Sequence, residues 1–301
     1  ERDATHSDAR GKLAALYRDK EAWAPLAALL SSGAPHEADP EVRLAYVREA
    51  ADLYEARLGQ PDQAIPVLSM GIELAPDDKE LKSKLATGLR VAGRLDEARE
   101  ILAALLESYG RRRSPERAAV HFQLAQVAHA RGDLDDAMAE LEQARKMDMS
   151  HPGILRMAGR MAHEAGQLEK AEKAYRALLL VVRRQDPGDP TVEVGASEVL
   201  YELSRLATAQ GDAAQSKELL ETALSTGAQH DAETSRLEAD LLARGEVTLA
   251  LEVVEKRLEA GLDDASRATM LAHLADILAT HLGRRAEAFD ALLEAIRLAP
   301  T

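Results

Sequence analysis

The residues best placed to do chemistry in this chain are few, and their spacing argues against most of it. His163-Glu164 is the nearest approach to a zinc-hydrolase helix, which needs a second histidine one turn on so that two imidazoles share a face. The chain continues Ala165-Gly166-Gln167-Leu168, so the second ligand is missing. The nine histidines are dispersed and there is no cysteine, which removes disulfides, thiolate metal sites and cysteine nucleophiles. No phosphate loop, nucleophile elbow or dinucleotide fingerprint occurs. The expectation is a chain without catalytic residues, metal or cofactor.

Charged clusters have plainer readings. Asp77-Asp78, Asp135-Asp136 and Asp263-Asp264 lie where helices should begin, where a carboxylate caps free N–H groups and meets the positive end of the helix dipole. The spacing of a calcium loop is missing. Arg111-Arg112-Arg113 reads as a solvated helix end, with phosphate or an acidic partner as the functional alternative. Trp23, the only tryptophan, is expected to fill a helix seam.

The elements that carry these residues are set by a repeat. Gly93-Arg94-Leu95-Asp96-Glu97-Ala98, Gly132-Asp133-Leu134-Asp135-Asp136-Ala137 and Gly166-Gln167-Leu168-Glu169-Lys170-Ala171 are copies of one unit, and Gly59, Gly211, Gly245 and Gly283 hold equivalent places. A spacing of 34 residues separates Gly59 from Gly93, Gly132 from Gly166, and Gly211 from Gly245. A fixed period of that size means stacked two-helix units. The apolar fraction is 46% with only 3% aromatic, so the helices are built mainly from Ala and Leu, both strong helix formers. The one β-leaning stretch, Thr191-Val192-Glu193-Val194, is too short to found a sheet.

With these residues the chain resembles the tetratricopeptide repeat family over nearly its whole length. Leu85, Ala86, Leu89, Gly93, Leu95, Ala98, Leu102 and Leu105 follow the family's apolar pattern, as do Leu124, Ala125, Ala128, Leu134, Ala137 and Leu141. So do Leu155, Gly159, Ala162, Leu168, Ala171, Tyr175 and Leu178. Small residues let paired helices approach, and larger ones fill the seam. The resemblance implies an all-α, right-handed α-solenoid of about eight helix-turn-helix units, a single solenoid over residues 1–301, with units starting near 7, 45, 79, 118, 152, 197, 231 and 269. Units two and eight share Leu58-Gly59 and Leu282-Gly283, and their first helix reads one residue longer than the pattern. Unit one is degenerate, with Glu21 where glycine is expected, and unit six has Ser216 in place of alanine. The insertion from Arg183 to Val192, rich in Pro and Gly, reads as a loop and the best candidate for a flexible or partner-facing segment.

In the family, outward positions of each first helix line a concave groove that holds partners. Carried over, these give Phe122, Gln123, Gln126 and His129 in unit four. Unit five contributes Arg156, Met157, Arg160 and His163, and unit six Tyr201, Glu202 and Arg205. Unit two offers the mostly acidic set Arg48, Glu49, Asp52 and Glu55. Phe122 and Tyr201 are expected as aromatic anchors, with Arg156, Arg160 and Arg205 steering an acidic, partly apolar segment. Glu164 and Glu202 work against that steering. The Lys and Asn of the family's carboxylate clamp are absent: Ser83 and Thr87 stand there in unit three, Arg156 and Arg160 in unit five. His129 and His163 share a repeat position, but neighbouring helices lie about 8–10 Å apart, too far to share one zinc.

The expected function is a non-catalytic scaffold or adaptor holding a protein or peptide in its groove. The alternatives are a peptide-sensing regulator and the non-catalytic arm of a larger enzyme or assembly factor. A net charge of −14 argues against nucleic acid and anionic membranes as partners, and no apolar run reaches the roughly 18 residues of a spanning helix. The compartment is left open, with the cytoplasm favoured. Arg in excess of Lys, with abundant Ala and Leu, suggests a GC-rich bacterial source. The opening Glu1-Arg2-Asp3, without Met, and the close at Leu298-Ala299-Pro300-Thr301 point to a piece of a longer array. Apolar Leu292 and Ile296 on the last helix would then bury against a following element or in self-association.

Overall fold

The computed structural model describes residues 7–189 and 192–299. Their architecture is all-α, sixteen helices with no strand among the described residues. Contacts divide the chain into two compact units, Glu1–Met149 and Ser150–Thr301. The amino-terminal unit holds four hairpins: α1 (Ser7–Asp19) with α2 (Trp23–Gly33), α3 (Pro40–Asp52) with α4 (Pro61–Leu74), α5 (Lys79–Val91) with α6 (Leu95–Ser108), and α7 (Pro115–Arg131) with α8 (Leu134–Met147). The carboxy-terminal unit holds α9 (Pro152–Glu164) with α10 (Leu168–Val182), α11 (Ala196–Ala209) with α12 (Ala213–Gly227), α13 (Asp231–Ala243) with α14 (Val247–Glu259), and α15 (Asp264–Asp276) with α16 (Arg285–Leu298). Within each unit, each second helix packs on its own partner and on the first helix of the next hairpin. This stacking of identical motifs is the α-solenoid class of fold.

Each hairpin turns at a left-handed residue. Gly132 has φ of 84°, and the following N–H, Asp133, reaches back to Ala128 O at 2.9 Å. That pairing satisfies carbonyls the helix end would leave unmet. The same bond closes α5, α9, α11 and α13. Repeat one keeps this geometry without its glycine: Glu21 has φ of 50°, the only positive value at a non-glycine among the described residues.

Helix starts follow local chemistry. Asp39, Asp78, Ser114, Asp212 and Asp263 each accept a backbone N–H one or two residues into the helix that follows. Asp78 and Asp263 are therefore caps, as the acidic pairs suggest, whereas Asp135 and Asp136 lie in the first turn of α8. With those caps and a proline at the first turn, α3 and α7 begin at Pro40 and Pro115, ahead of the pattern's starts near 45 and 118.

The extra residue in repeats two and eight is absorbed by a π-turn. After α3 and α15 the chain winds through Leu53–Arg57 and Ile277–His281 with i to i−5 bonds, Leu58 N to Leu53 O at 3.0 Å and Leu282 N to Ile277 O at 3.2 Å. One more residue per turn lets a longer helix end at the same hairpin corner.

The core is a seam of alanines and leucines, with Leu26, Leu68, Leu102, Leu178 and Leu237 fully buried beside Ala27, Ala64, Ala98, Ala171 and Ala250. Trp23 is half-buried at the rim, under the Arg57 guanidinium 5.4 Å from its ring centroid. The departure at Ser216 is satisfied: its hydroxyl lies 2.6 Å from that of Thr208. The described part of the insertion after α10 is tied down, because Arg236 donates to Pro187 O at 2.8 Å and Val194 is buried. Pro190 and Thr191 of that insertion, the opening Glu1-Arg2-Asp3, and Pro300 and Thr301 lie outside the described residues. On α16, Phe289 and Ile296 are 65% and 62% exposed, with Leu292 exposed beside them.

Candidate interaction face

The carboxy-terminal unit brings charged side chains of three first helices together. Leu155, Met157, Met161 and Ala162 of α9 face the core, which turns Arg156 and Arg160 outward with side chains 46% and 56% exposed. His163 sits half-buried at the end of that helix. From α11 come Glu198, Glu202 and the exposed Arg205, and from α13 Asp240 and Arg244. They line a recess of about 170 Å³ around Arg156, and one of about 320 Å³ shared by Arg160, His163, Arg205 and Arg244.

The charges are unequally committed. Arg244 pairs with Glu202 and lies 2.9 Å from Asp240. Burial pulls its pKa down, but these two carboxylates more than offset that and raise it. Arg205 reaches Glu202 at 3.3 Å. By contrast Arg156 stands 3.7 Å from Glu198, and Arg160 stands 3.8 Å from Glu164. Both separations exceed the 2.7–2.9 Å typical of charge-assisted hydrogen bonds. Glu198 is buried, and burial pushes its pKa up although Gly195 N–H donates to it at 2.6 Å.

Two residues read from the sequence as facing a partner do not. Tyr201 is 5% exposed, because its position on α11 turns the ring into the core against α13, with the Arg244 guanidinium 5.7 Å from its centroid. It is a floor for Arg244 and not an exposed anchor. Met157 is buried for the same reason of helix phase. In their place the structure contributes Arg244, Glu198 and Asp240, and the phenol of Tyr175. Sequence reading assigned Tyr175 to the seam on its ring alone, although a tyrosine carries a polar tip.

Phe122, Gln126 and His129 belong to the other unit, half-buried along α7. Their neighbour Gln123 is engaged internally, its amide donating to Ser83 Oγ at 2.9 Å and Thr87 Oγ1 at 3.0 Å. The acidic set of repeat two is likewise neutralised by neighbouring repeats. Glu49 pairs with Arg18 at 2.6 Å, Asp52 with Lys84 at 2.6 Å, and Arg48 with Asp78. Among the described residues no three His, Cys, Asp or Glu come together as metal ligands, and no helix is long and apolar enough to cross a membrane.

Stacked helical hairpins with polar first-helix faces define a helical-repeat protein. Two family models match, both described as tetratricopeptide repeat, over residues 80–150 and 130–190. Residues 80–190 are thus tetratricopeptide repeats, a fold that generally serves protein interaction and as a rule carries no catalytic machinery. No curated protein matches the chain in sequence at a significant level. Among solved structures it is similar to PilW, described as a widely conserved type IV pilus biogenesis factor, at 17% identity and a TM-score of 0.55, covering 77% of this chain and 98% of that one. It is also similar to a tetratricopeptide repeat protein from Parabacteroides merdae, at 15% identity and a TM-score of 0.47, covering 85% and 93%. A third, YrrB, described as a tetratricopeptide repeat protein with an unusual peptide-binding site, has 15% identity and a TM-score of 0.43, covering 62% and 88%. At these identities the likeness to PilW is one of fold.

Proposed function

We propose that this protein is a non-catalytic adaptor whose carboxy-terminal unit docks an acidic segment of a partner protein on the face formed by α9, α11 and α13. The observation that carries the reading is the pair Arg156 and Arg160, one helical turn apart, outward-facing and without a hydrogen bond among the described residues. In a chain of net charge −14, two under-used guanidiniums flanked by Arg205 form a local exception that favours an anionic partner. His163 and Arg205 extend the strip. Aliphatic arginine stems give the partner's apolar atoms something to cover.

The test is selection from a library of acetylated, amidated peptides spanning acidic, neutral and basic composition, by wild type and by an Arg156→Glu/Arg160→Glu double variant. Acidic peptides should be enriched by wild type, with binding that weakens as salt rises, and should be lost by the variant at least about tenfold, or roughly 1.4 kcal/mol. Enrichment of the same peptides by both proteins would overturn the reading.

A further inference from the structure

A groove of about 760 Å³ in the amino-terminal unit is lined chiefly by α4, with Arg43 and Arg94 reaching in from neighbouring elements. Asp62, Pro66, Ser69, Met70 and Glu73 line it from α4, and their i, i+4, i+7, i+8, i+11 spacing puts them on one helix face. Asp62, Pro66 and Glu73 are exposed and Met70 is half-buried. Two of these residues work against their own helix. Pro66 stands inside α4, so the N–H that would meet Asp62 O one turn back does not exist. Glu73 stands in the last turn, which carries no basic residue, where the helix dipole and the free carbonyls repel a carboxylate. The carboxylates of Asp62 and Glu73 hold no hydrogen bond or ion pair among the described residues, and Asp62 acts on Arg94 only through space. The donor side chains beside them are already engaged. Arg94 donates to Glu97 at 2.7 and 2.6 Å, Arg43 Nε to Glu37 O at 2.9 Å, and Ser69 Oγ to Ile65 O at 2.9 Å. The face thus offers open acceptors at both ends and an apolar middle.

We propose that this groove docks a basic, partly apolar segment of a partner protein, with one lysine or arginine at Asp62, a second at Glu73, and apolar side chains over Pro66 and Met70. It is a surface of the amino-terminal unit and does not rest on the acidic-segment face of α9, α11 and α13. Ammonium and guanidinium groups fit because they only donate, and a chain of net charge −14 attracts them over distance. An anionic segment would set its charge against both carboxylates while the nearby arginines stay engaged. Eleven residues of α4 span about 16 Å, which an extended chain covers in about five residues, so the two cations stand about that far apart. A helix-breaking proline and a misplaced carboxylate both weaken α4, and such breaches of local preference are expected where a segment serves binding.

The test titrates 15N-labelled protein with acetylated, amidated peptides in which one to six alternating alanine and leucine residues separate two lysines. Matched peptides carry two glutamates instead. Lysine peptides should move the α4 amide signals saturably and bind most tightly when the lysines are about five residues apart. Glutamate peptides should leave those signals in place. Glu73→Gln and Pro66→Ala should each weaken the best lysine peptide about fivefold. Both should also raise the thermal midpoint, the first by relieving the dipole and the second by restoring the bond to Asp62 O. A raised midpoint with unchanged affinity in both variants would leave only a local helix effect and overturn the docking site. Lysine peptides that fail to bind, that bind without moving α4, or that bind no better than glutamate peptides overturn it equally. Loss of affinity in Glu73→Gln alone, or equal affinity at every separation, would overturn the two-cation reading.

Discussion

At the scale of single residues, two positions show how much one backbone angle or one methyl group weighs in this fold. Glu21 holds a left-handed conformation that costs an ordinary residue roughly 1–2 kcal/mol, while glycine there would lose about 0.5–1 kcal/mol of extra unfolded-state entropy. Glu21→Gly is therefore expected to stabilise repeat one by about 0.5–1 kcal/mol, read as a higher denaturant midpoint at unchanged slope. Gly159 is the opposite case, since its requirement is space and not angle. With Tyr175 2.8 Å from an added Cβ, Gly159→Ala should cost about 1–3 kcal/mol by overpacking. The turn requirement at Glu21 was legible in the sequence because it breaks a regular glycine series. Gly159 was legible only as a small seam residue. That Tyr175 places the tip of its ring against it is a contact between two helices, which no local pattern encodes.

At the scale of elements, the hairpins were readable to within a few residues because left-handed turns, caps and small seam residues recur in register. Even the added residue in repeats two and eight was visible as a longer first helix, and the π-turns are its physical form. What stayed hidden was helix phase at the groove face. Tyr201 and Met157 sit one residue from outward positions, and a shift of about 100° per residue separates a partner contact from the core. Cross-repeat polar pairs were equally hidden, among them Gln123 with Ser83 and Glu233 of α13 at the start of α11, where it accepts from Ala196 N at 3.1 Å and Ser197 N at 3.2 Å. One such pair yields a pH prediction. His273 of α15 bonds to the buried Glu238 of α13, and that bond, against a smaller cost of burial, raises the His273 pKa above its ordinary value. A raised histidine pKa means stability that is fully present below the unfolded value of about 6.5 and lost as pH rises through the folded one. Thermal midpoints of wild type should thus exceed those of His273→Gln most at mildly acid pH, with the gap narrowing once His273 is neutral. A gap that widens with rising pH would contradict this sign.

For the whole molecule, the consequence of a repeat architecture is that energy stays local. Hairpins of each unit pack on their sequence neighbours, and the buried cluster around Leu26 and Leu68 shares no residue with that around Leu178 and Tyr175. Stability is then close to a sum of repeat and nearest-neighbour terms, unlike a single core where every packing change is felt throughout. The substitutions at Glu21 and Gly159 provide the measurement, because they lie in repeats one and five, in different compact units. Their effects should add to within about 0.3–0.5 kcal/mol in the double variant. Amide exchange should show where each effect resides: Glu21→Gly should slow exchange in α1 to α4, while Gly159→Ala should speed it in α9 to α12, each leaving the other set unchanged. A single cooperative core would instead shift protection in all sixteen helices together, and that result would exclude the local account.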